Sequence, residues 1–275
     1  MTVLVLAATP IGNLGDASRR LIETLERATV LAVEDTRVAQ RLLAGLGIVN
    51  RPRLVTVNEQ TERVRIGELV ALAAEGEVVL VSDAGMPTVS DPGFALVRAA
   101  VEAEVPVTAV PGASAVLTAL ALSGLPTDRF VFEGFAPRKA GERERWLREL
   151  AAERRTVVLF ESPNRLAALL AAMVAVLGPE RQAVVARELT KLHEEVVRGP
   201  VADLARWAEG GVRGEVVVVV AGASAVAASE SDAVADVLAL VAAGTRLKDA
   251  SAEVGERTGL PKRRLYDAAL AARRP

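Results

Sequence analysis

Residues 80–100 read LVSDAGMPTVSDPGFALVRAA, and this stretch decides the fold. Its apolar start continues a run from Val78, stops at Ser82 and Asp83, and gives way to a segment holding Gly85, Pro87, Pro92 and Gly93 before a helical pattern resumes at Phe94. A short, unbroken apolar run bounded by turn residues reads as a strand buried on both faces, the habit of strands in a parallel sheet. Glycine permits close backbone approaches that a Cβ would block, and proline fixes φ. Strand, stiff Gly/Pro loop and helix in that order read as a βα unit whose loop brings peptide groups against a small ligand.

The same alternation extends to both sides. VLVLAA (3–8) reads as a strand, 17–28 as an amphipathic helix with Asp16 as its N-cap, VLAVE (30–34) as a strand and 37–47 as a helix stopped by glycine. LVTV (54–57), helix 60–75, VVLVS (78–82), helix 94–104 and VPVTAV (105–110) continue the pattern. At SGLPTDR (123–129) the rhythm breaks, and strands follow at 130–135, 156–161, 182–188, 194–199 and 214–222, with clear helices only at 140–154 and 164–177. The short link inside VARELTKLHEEVV predicts a hairpin within a mixed sheet. Residues 223–231 are small and polar enough for a linker, and 232–273 read as purely helical. The expected class is α/β: a parallel α/β lobe over 1–123, a mixed-sheet lobe over 124–222 and a helical, helix-turn-helix-like tail over 232–275.

Composition removes several chemistries. The chain has no cysteine, which excludes a disulfide framework, a cysteine zinc site and a thiol nucleophile, and with a single histidine no metal is expected. The opening MTVLVLAATPIGN lacks the basic start and long apolar core of a signal peptide, and EVVVVVAG is too short to span a bilayer. A cytoplasmic protein without a membrane partner is expected. A net charge of −2 gives no global attraction to nucleic acid, so any such role rests on local patches.

TPIGNLGD (9–16), SDAGMPTVSDPG (82–93) and PGASAV (111–116) all fall at carboxyl ends of strands, where open α/β sheets bind ligands. None carries the Gly-x-Gly-x-x-Gly dinucleotide fingerprint or the P-loop pattern. Together with VEDTR, FEGFAPRK, LFESPNRL and ARELTKLHEE, in order along nearly the whole chain, these motifs resemble the ribosomal-RNA branch of the tetrapyrrole-methylase superfamily.

That resemblance implies a two-lobed, homodimeric methyltransferase that binds S-adenosylmethionine between its lobes and methylates the 2′-oxygen of a cytidine ribose in 16S ribosomal RNA, with the small ribosomal subunit as partner. It implies that Pro10, Gly85, Met86, Ser114, Ala115 and Phe160 line the cofactor, together with Asp83 in the second loop. The first loop lacks the Gly-Asp-Pro element of the porphyrin-modifying relatives, which points away from a tetrapyrrole substrate. A small-molecule or protein substrate on the same fold, or an RNA-binding protein without catalysis, are the competing readings.

Methyl transfer from a sulfonium to a hydroxyl is an in-line displacement that demands alignment and no metal. A ribose hydroxyl is a poor nucleophile, so a group that orients or removes its proton should help. Asp35 and Lys191 are the candidates at strand ends, with Arg37 and Arg187 holding RNA phosphate or ribose. Each has a plainer reading: Asp35 as the cap of the next helix, Arg187 and Glu188 as a mutual ion pair, Lys191 as a solvated loop cation. Arg138 and Lys139 open a basic segment, and in the tail Pro261 precedes Lys262, Arg263 and Arg264 at the head of a final helix. A helix-turn-helix places its second helix against nucleic acid, whereas a helical cap or dimer contact would use the same residues structurally. No DNA partner is expected.

Overall fold

The computed structural model describes residues 2–58, 61–223 and 230–273. Strands β1 (Val3–Ala7), β2 (Val30–Val33), β3 (Arg53–Thr56), β4 (Glu77–Leu80) and β5 (Val107–Val110) form one sheet in the order β3-β2-β4-β1-β5, and every pairing in it is parallel. Helices α1 (Arg19–Arg27), α2 (Thr36–Gly45), α3 (Glu62–Glu75) and α4 (Phe94–Glu102) make the crossovers. The period of two along each strand divides its side chains between two cores. Val5, Ala7 and Val79 pack with Leu21, Leu25 and Leu43 of α1 and α2, while Leu4, Leu6 and Val78 pack with Leu69 and Leu96 of α3 and α4. Both faces are covered, which is why these strands read as continuous apolar runs.

Helix α5 (Ala115–Ser123) leads to a second sheet of β6 (Phe130–Phe135), β7 (Thr156–Glu161), β8 (Gln182–Arg187), β9 (Glu195–Pro200) and β10 (Val216–Val220), ordered β6-β7-β10-β8-β9. Only β6 and β7 run parallel; β8 and β9 form the expected hairpin, and β10 enters antiparallel to both β7 and β8. Helices α6 (Ala140–Leu150), α7 (Pro163–Leu177) and α8 (Val201–Ala208) cover one face, with Leu147, Leu166, Leu170 and Leu204 meeting Val216, Val218 and Val220. The opposite face, carrying Val217 and Val219, packs on Val116, Ala119 and Leu120 of α5.

Several local readings change, and α5 is a helix that the sequence pattern does not predict. Ser18 caps α1, its side chain accepting from the Leu21 N–H at 3.1 Å, because Asp16 is taken up in a separate 3-10 turn, Leu14–Asp16. Helix α8 lies outside the expected helices, although Val201, Leu204, Ala205 and Ala208 carry the i, i+3, i+4, i+7 spacing of an amphipathic helix. Arg187 pairs with Glu195 at 2.6 Å across the hairpin, and Glu188 pairs instead with Lys191.

The tail holds α9 (Glu230–Ala242), α10 (Leu247–Thr258) and α11 (Lys262–Ala272), closed around Ala233, Val237, Ala250, Val254, Leu265 and Ala269. Gly259, at φ +74°, ends α10 in the left-handed conformation, and Pro261 stands at the N-cap of α11. The linker expected at 223–231 falls mainly on 224–229, outside the described residues. Among the described residues no helix is long and apolar enough to cross a membrane.

Candidate functional site

Neighbouring positions of β4, β1 and β5 bring the loops that follow them to one end of the first sheet. A two-way bridge fixes the first two: Thr9 N–H donates to the Gly85 carbonyl at 2.9 Å and Gly85 N–H to the Thr9 carbonyl at 3.2 Å. Gly85 sits at φ +84°, a conformation that side chains rarely adopt. In the third loop a Cβ on Gly112 would come within 2.9 Å of Ala8 Cβ, so only glycine lets that loop lie against the first.

Between these loops and the second sheet lies a cavity of about 350 Å³. Ile11, Gly85, Met86, Ser114 and Ala115 line it from the first lobe. Phe135, Phe160, Glu161, Leu189, Glu215 and Val217 line it from the second. The antiparallel register places Val216 opposite both Glu161 and Arg187, so the start of β10 meets the ends of β7 and β8 at the cavity. Phe160 is held edge-on against Phe132, ring centroids 5.0 Å apart, and tilted against Phe135 at 5.5 Å.

Backbone strain concentrates around this space. Thr88 and Ser90 in the second loop have φ of 75° and 64°, and Glu188 and Thr190 after β8 have φ of 51° and 67°. Non-glycine residues in that region each cost of order 1–3 kcal/mol and persist where surrounding structure imposes them, commonly at functional sites.

Of the residues expected at a cofactor, Gly85, Met86, Ser114, Ala115 and Phe160 line the cavity. Pro10 is buried directly before Ile11, and Asp83 stands outside the lining, its Oδ1 accepting the Asp35 N–H at 3.2 Å. Asp35 does cap α2, taking the Arg37 N–H at 2.8 Å, and its carboxylate also receives Arg37 Nε at 3.1 Å and Nη2 at 2.7 Å. Those hydrogen bonds hold the Asp35 pKa down to about 2. Burial pushes Asp83 upward, opposed by the Asp35 N–H and reinforced by the Asp35 charge.

Lys191 donates from Nζ to Glu188 and to Glu215, each at 2.9 Å. Partial burial would lower its pKa, but the two carboxylates carry it above its ordinary value, so it stays a cation. It reaches across the cleft, since a Cβ on Gly12 in the first loop would lie 2.5 Å from Lys191 Cγ. Gly214 leaves the room that the Glu188 side chain occupies. Arg138 is exposed, and Lys139 is exposed and paired with Glu142. Lys262, Arg263 and Arg264 are exposed at the start of α11. His193, also exposed, lies outside the cavity lining.

Two acidic residues outside the expected set, Asp91 and Glu161, belong to the site. Both line the cavity, Asp91 from the second loop and Glu161 from the end of β7 with its side chain wholly buried. A carboxylate closing the apolar run TVVLFE was the available signal for Glu161; the second Ser-Asp pair of SDAGMPTVSDPG was the signal for Asp91. Glu161 is fully engaged, with Ser162 N–H at 2.7 Å and Arg165 Nη2 at 2.9 Å. Among the described residues no group of three or more His, Cys, Asp or Glu side chains could hold a metal ion.

A parallel lobe and a mixed lobe meet at a Gly/Pro-looped cavity, and the chain belongs to the Tetrapyrrole (Corrin/Porphyrin) Methylases, whose family model matches residues 3–205. A second model, the RsmI C-terminal HTH domain, matches residues 227–273. More particularly, the chain is 53% identical over 273 residues to the "Ribosomal RNA small subunit methyltransferase I" of Mycobacterium tuberculosis, covering 98% of this chain and 95% of that protein. It is 43% identical to the protein of the same name from Synechocystis sp., covering 98% of each. The fold is similar to that of diphthine synthase, with a TM-score of 0.60 at 18% identity over 80% of this chain and 89% of that one. It is also similar to uroporphyrin-III-C-methyltransferase from Thermus thermophilus, with a TM-score of 0.57 at 23% identity over 80% and 94%.

Proposed function

We infer that this chain transfers the methyl group of S-adenosylmethionine to the ribose 2′-hydroxyl of a cytidine in 16S ribosomal RNA. The observation that carries the reading is the cavity of about 350 Å³ where three Gly/Pro loops face the second sheet. Its aromatic and aliphatic walls, with Phe135, Phe160, Ile11 and Met86, suit an adenosine. Similarity at 53% over nearly the full length to a ribosomal RNA small subunit methyltransferase supports the substrate.

S-adenosylmethionine supplies an activated methyl group when bound, so the chain's contribution is alignment, worth up to about 7–11 kcal/mol of barrier in well-oriented cases. Gly85, Met86, Ser114, Ala115 and Phe160 hold the cofactor, with Pro10 and Asp83 shaping the loops behind them. Asp35 and Lys191 orient the reacting ribose from the two sides of the cleft: Asp35 by fixing the Arg37 guanidinium, Lys191 as a cation that also anchors Glu215. Arg37, Arg187, Arg138 and Lys139 meet RNA phosphate or ribose. Lys262, Arg263 and Arg264 supply the phosphate contacts of the tail, which position a nucleic acid without reading its sequence.

The three units, 1–123, 124–222 and 232–275, divide the work into cofactor binding, cleft closure and RNA capture. The protein acts in the cytoplasm as a homodimer on RNA within the small ribosomal subunit.

The test is transfer of labelled methyl from S-adenosylmethionine to small subunits from cells lacking this gene, followed by nucleoside analysis. Labelled 2′-O-methylcytidine is the expected product. Cofactor binding without label in RNA would move the substrate to a small molecule or a protein.

A further inference from the structure

The geometry points to a further catalytic residue: the Asp91 carboxylate receives the proton of the attacking hydroxyl. This rests on the methyl-transfer reading above and names a group for one of its steps.

Three carboxylates line the cavity, and two of them are committed. Glu161 is bound by Arg165 and the Ser162 N–H, and Glu215 by Lys191. Asp91 has no ion-pair partner among the described residues, and the Ser82 hydroxyl near it donates to the Gly85 carbonyl at 3.3 Å. The structural task usually given to an aspartate just ahead of a helix is also taken. Gly93 is the N-cap of α4, and Glu62 reaches over from α3 to accept the N–H groups of Gly93 at 3.1 Å and Ala95 at 3.2 Å. Asp91 is therefore left on the cavity wall, beside the strained Ser90 and close to Thr88.

A carboxylate clamped by arginine is a weak base, and Asp35 is of that kind. Burial raises the Asp91 pKa to about 6, with the Ser82 hydroxyl opposing and the Asp83 charge adding. The remaining charged groups around the cleft are balanced. Arg41 of α2 acts on Asp83, Asp35 is held by Arg37, Glu161 by Arg165, Glu215 and Glu188 by Lys191, and Glu62 lies behind on α3. A base with a pKa just below neutral is ionised at neutral pH and still takes a proton usefully.

In the step, the hydroxyl O–H bond breaks and its proton passes to an Asp91 carboxylate oxygen. The oxygen forms a bond to the methyl carbon as the carbon–sulfur bond breaks, and that electron pair stays on sulfur. The products are a methyl ether, a neutral thioether and a protonated Asp91, which then loses its proton to solvent.

The experiment compares the wild-type chain with Asp91→Asn, which keeps the shape of the side chain, on small ribosomal subunits. Single-turnover methyl transfer is measured from pH 5 to 8, and S-adenosylhomocysteine binding by calorimetry. The expected result is a loss of about 10²- to 10⁴-fold in transfer, the usual range for a general base, with binding changed by less than about 3-fold. The wild-type rate should fall below about pH 6. A variant that transfers at the wild-type rate, or loses cofactor binding in proportion, overturns the assignment while leaving the methyl-transfer reading standing. Should the variant fail to fold, the wild type decides: a rate independent of pH between 5 and 8, with circular dichroism unchanged, overturns it. Wild-type protein that binds the cofactor but methylates no hydroxyl overturns the reading and the assignment together.

Discussion

The Asp35 N–H donates to the Asp83 carboxylate at 3.2 Å, tying the end of β2 to the loop after β4. Both residues stand at the same end of the first sheet because β2 and β4 are parallel neighbours in it. One bond thus joins the residue proposed to orient the ribose to the loop proposed to hold the cofactor, and it also shows where single changes should be felt.

Gly85→Val should abolish cofactor binding while leaving the fold intact. At φ +84° a β-branched residue is strained, and with the new Cβ already in contact with Ile11 Cγ2 at 3.4 Å the two further methyls have to enter the cavity wall. Calorimetric titration with S-adenosylhomocysteine should show at least a tenfold loss, with an unchanged circular dichroism spectrum. Wild-type affinity would take this loop out of the site.

Glu161→Ala should destabilise the protein by about 3 kcal/mol, since removing one partner of a buried ion pair leaves the other uncompensated. The Glu161 side chain is 0% exposed and Arg165 only 26%, so water cannot fully replace the lost contact. Urea denaturation gives the number; a change below about 1 kcal/mol would mean that Arg165 finds another partner.

Lys191→Met should alter acid stability in a definite direction. Glu188 is held below its ordinary 4.5, first by Lys191 and then by the Glu215 N–H. A depressed carboxylate contributes stability that is present above its unfolded pKa and is lost as the pH falls through the folded value. The wild type should therefore exceed the variant in stability at pH 6, and the gap should close as the pH falls below 4.5. Denaturation midpoints across that range test this, and a gap that stays constant would remove Glu188 as its cause.

Replacing Lys262, Arg263 and Arg264 together with alanine should weaken RNA binding and leave cofactor affinity alone. If each side chain neutralises a phosphate, the slope of log affinity against log salt should shrink by about 3. An unchanged slope would make the head of α11 structural.

What the sequence revealed follows from the physics of each signal. Apolar runs such as VVLV announced strands buried on both faces, and the Gly/Pro loops announced the mouth of the site, because burial and φ restriction are local properties of residue type. Partner choice is not local. Arg187 prefers Glu195 over the adjacent Glu188 because the β8–β9 register sets Arg187 directly across from Glu195. Asp91 gains its interest only from what surrounds it: Glu62, distant in sequence, relieves it of capping, and the wall it stands on is assembled from segments far apart in the chain. Helix α8 was overlooked for another reason, its length of 8 residues being short for a periodicity argument.

The position of β10 has a consequence for synthesis. The first sheet is complete once Val110 has been made, but the centre of the second, Val216–Val220, is its last strand. Until that segment leaves the ribosome, β7 and β8 have no shared neighbour and α5 lacks two of the valines it packs against. Domains fold as units from the N-terminus during translation, so the half of the cleft carried by the second sheet forms late and all at once. A nascent chain arrested before Val216 should hold a folded first sheet yet no place for a cofactor, which ties the appearance of the site to the synthesis of Val216–Val220.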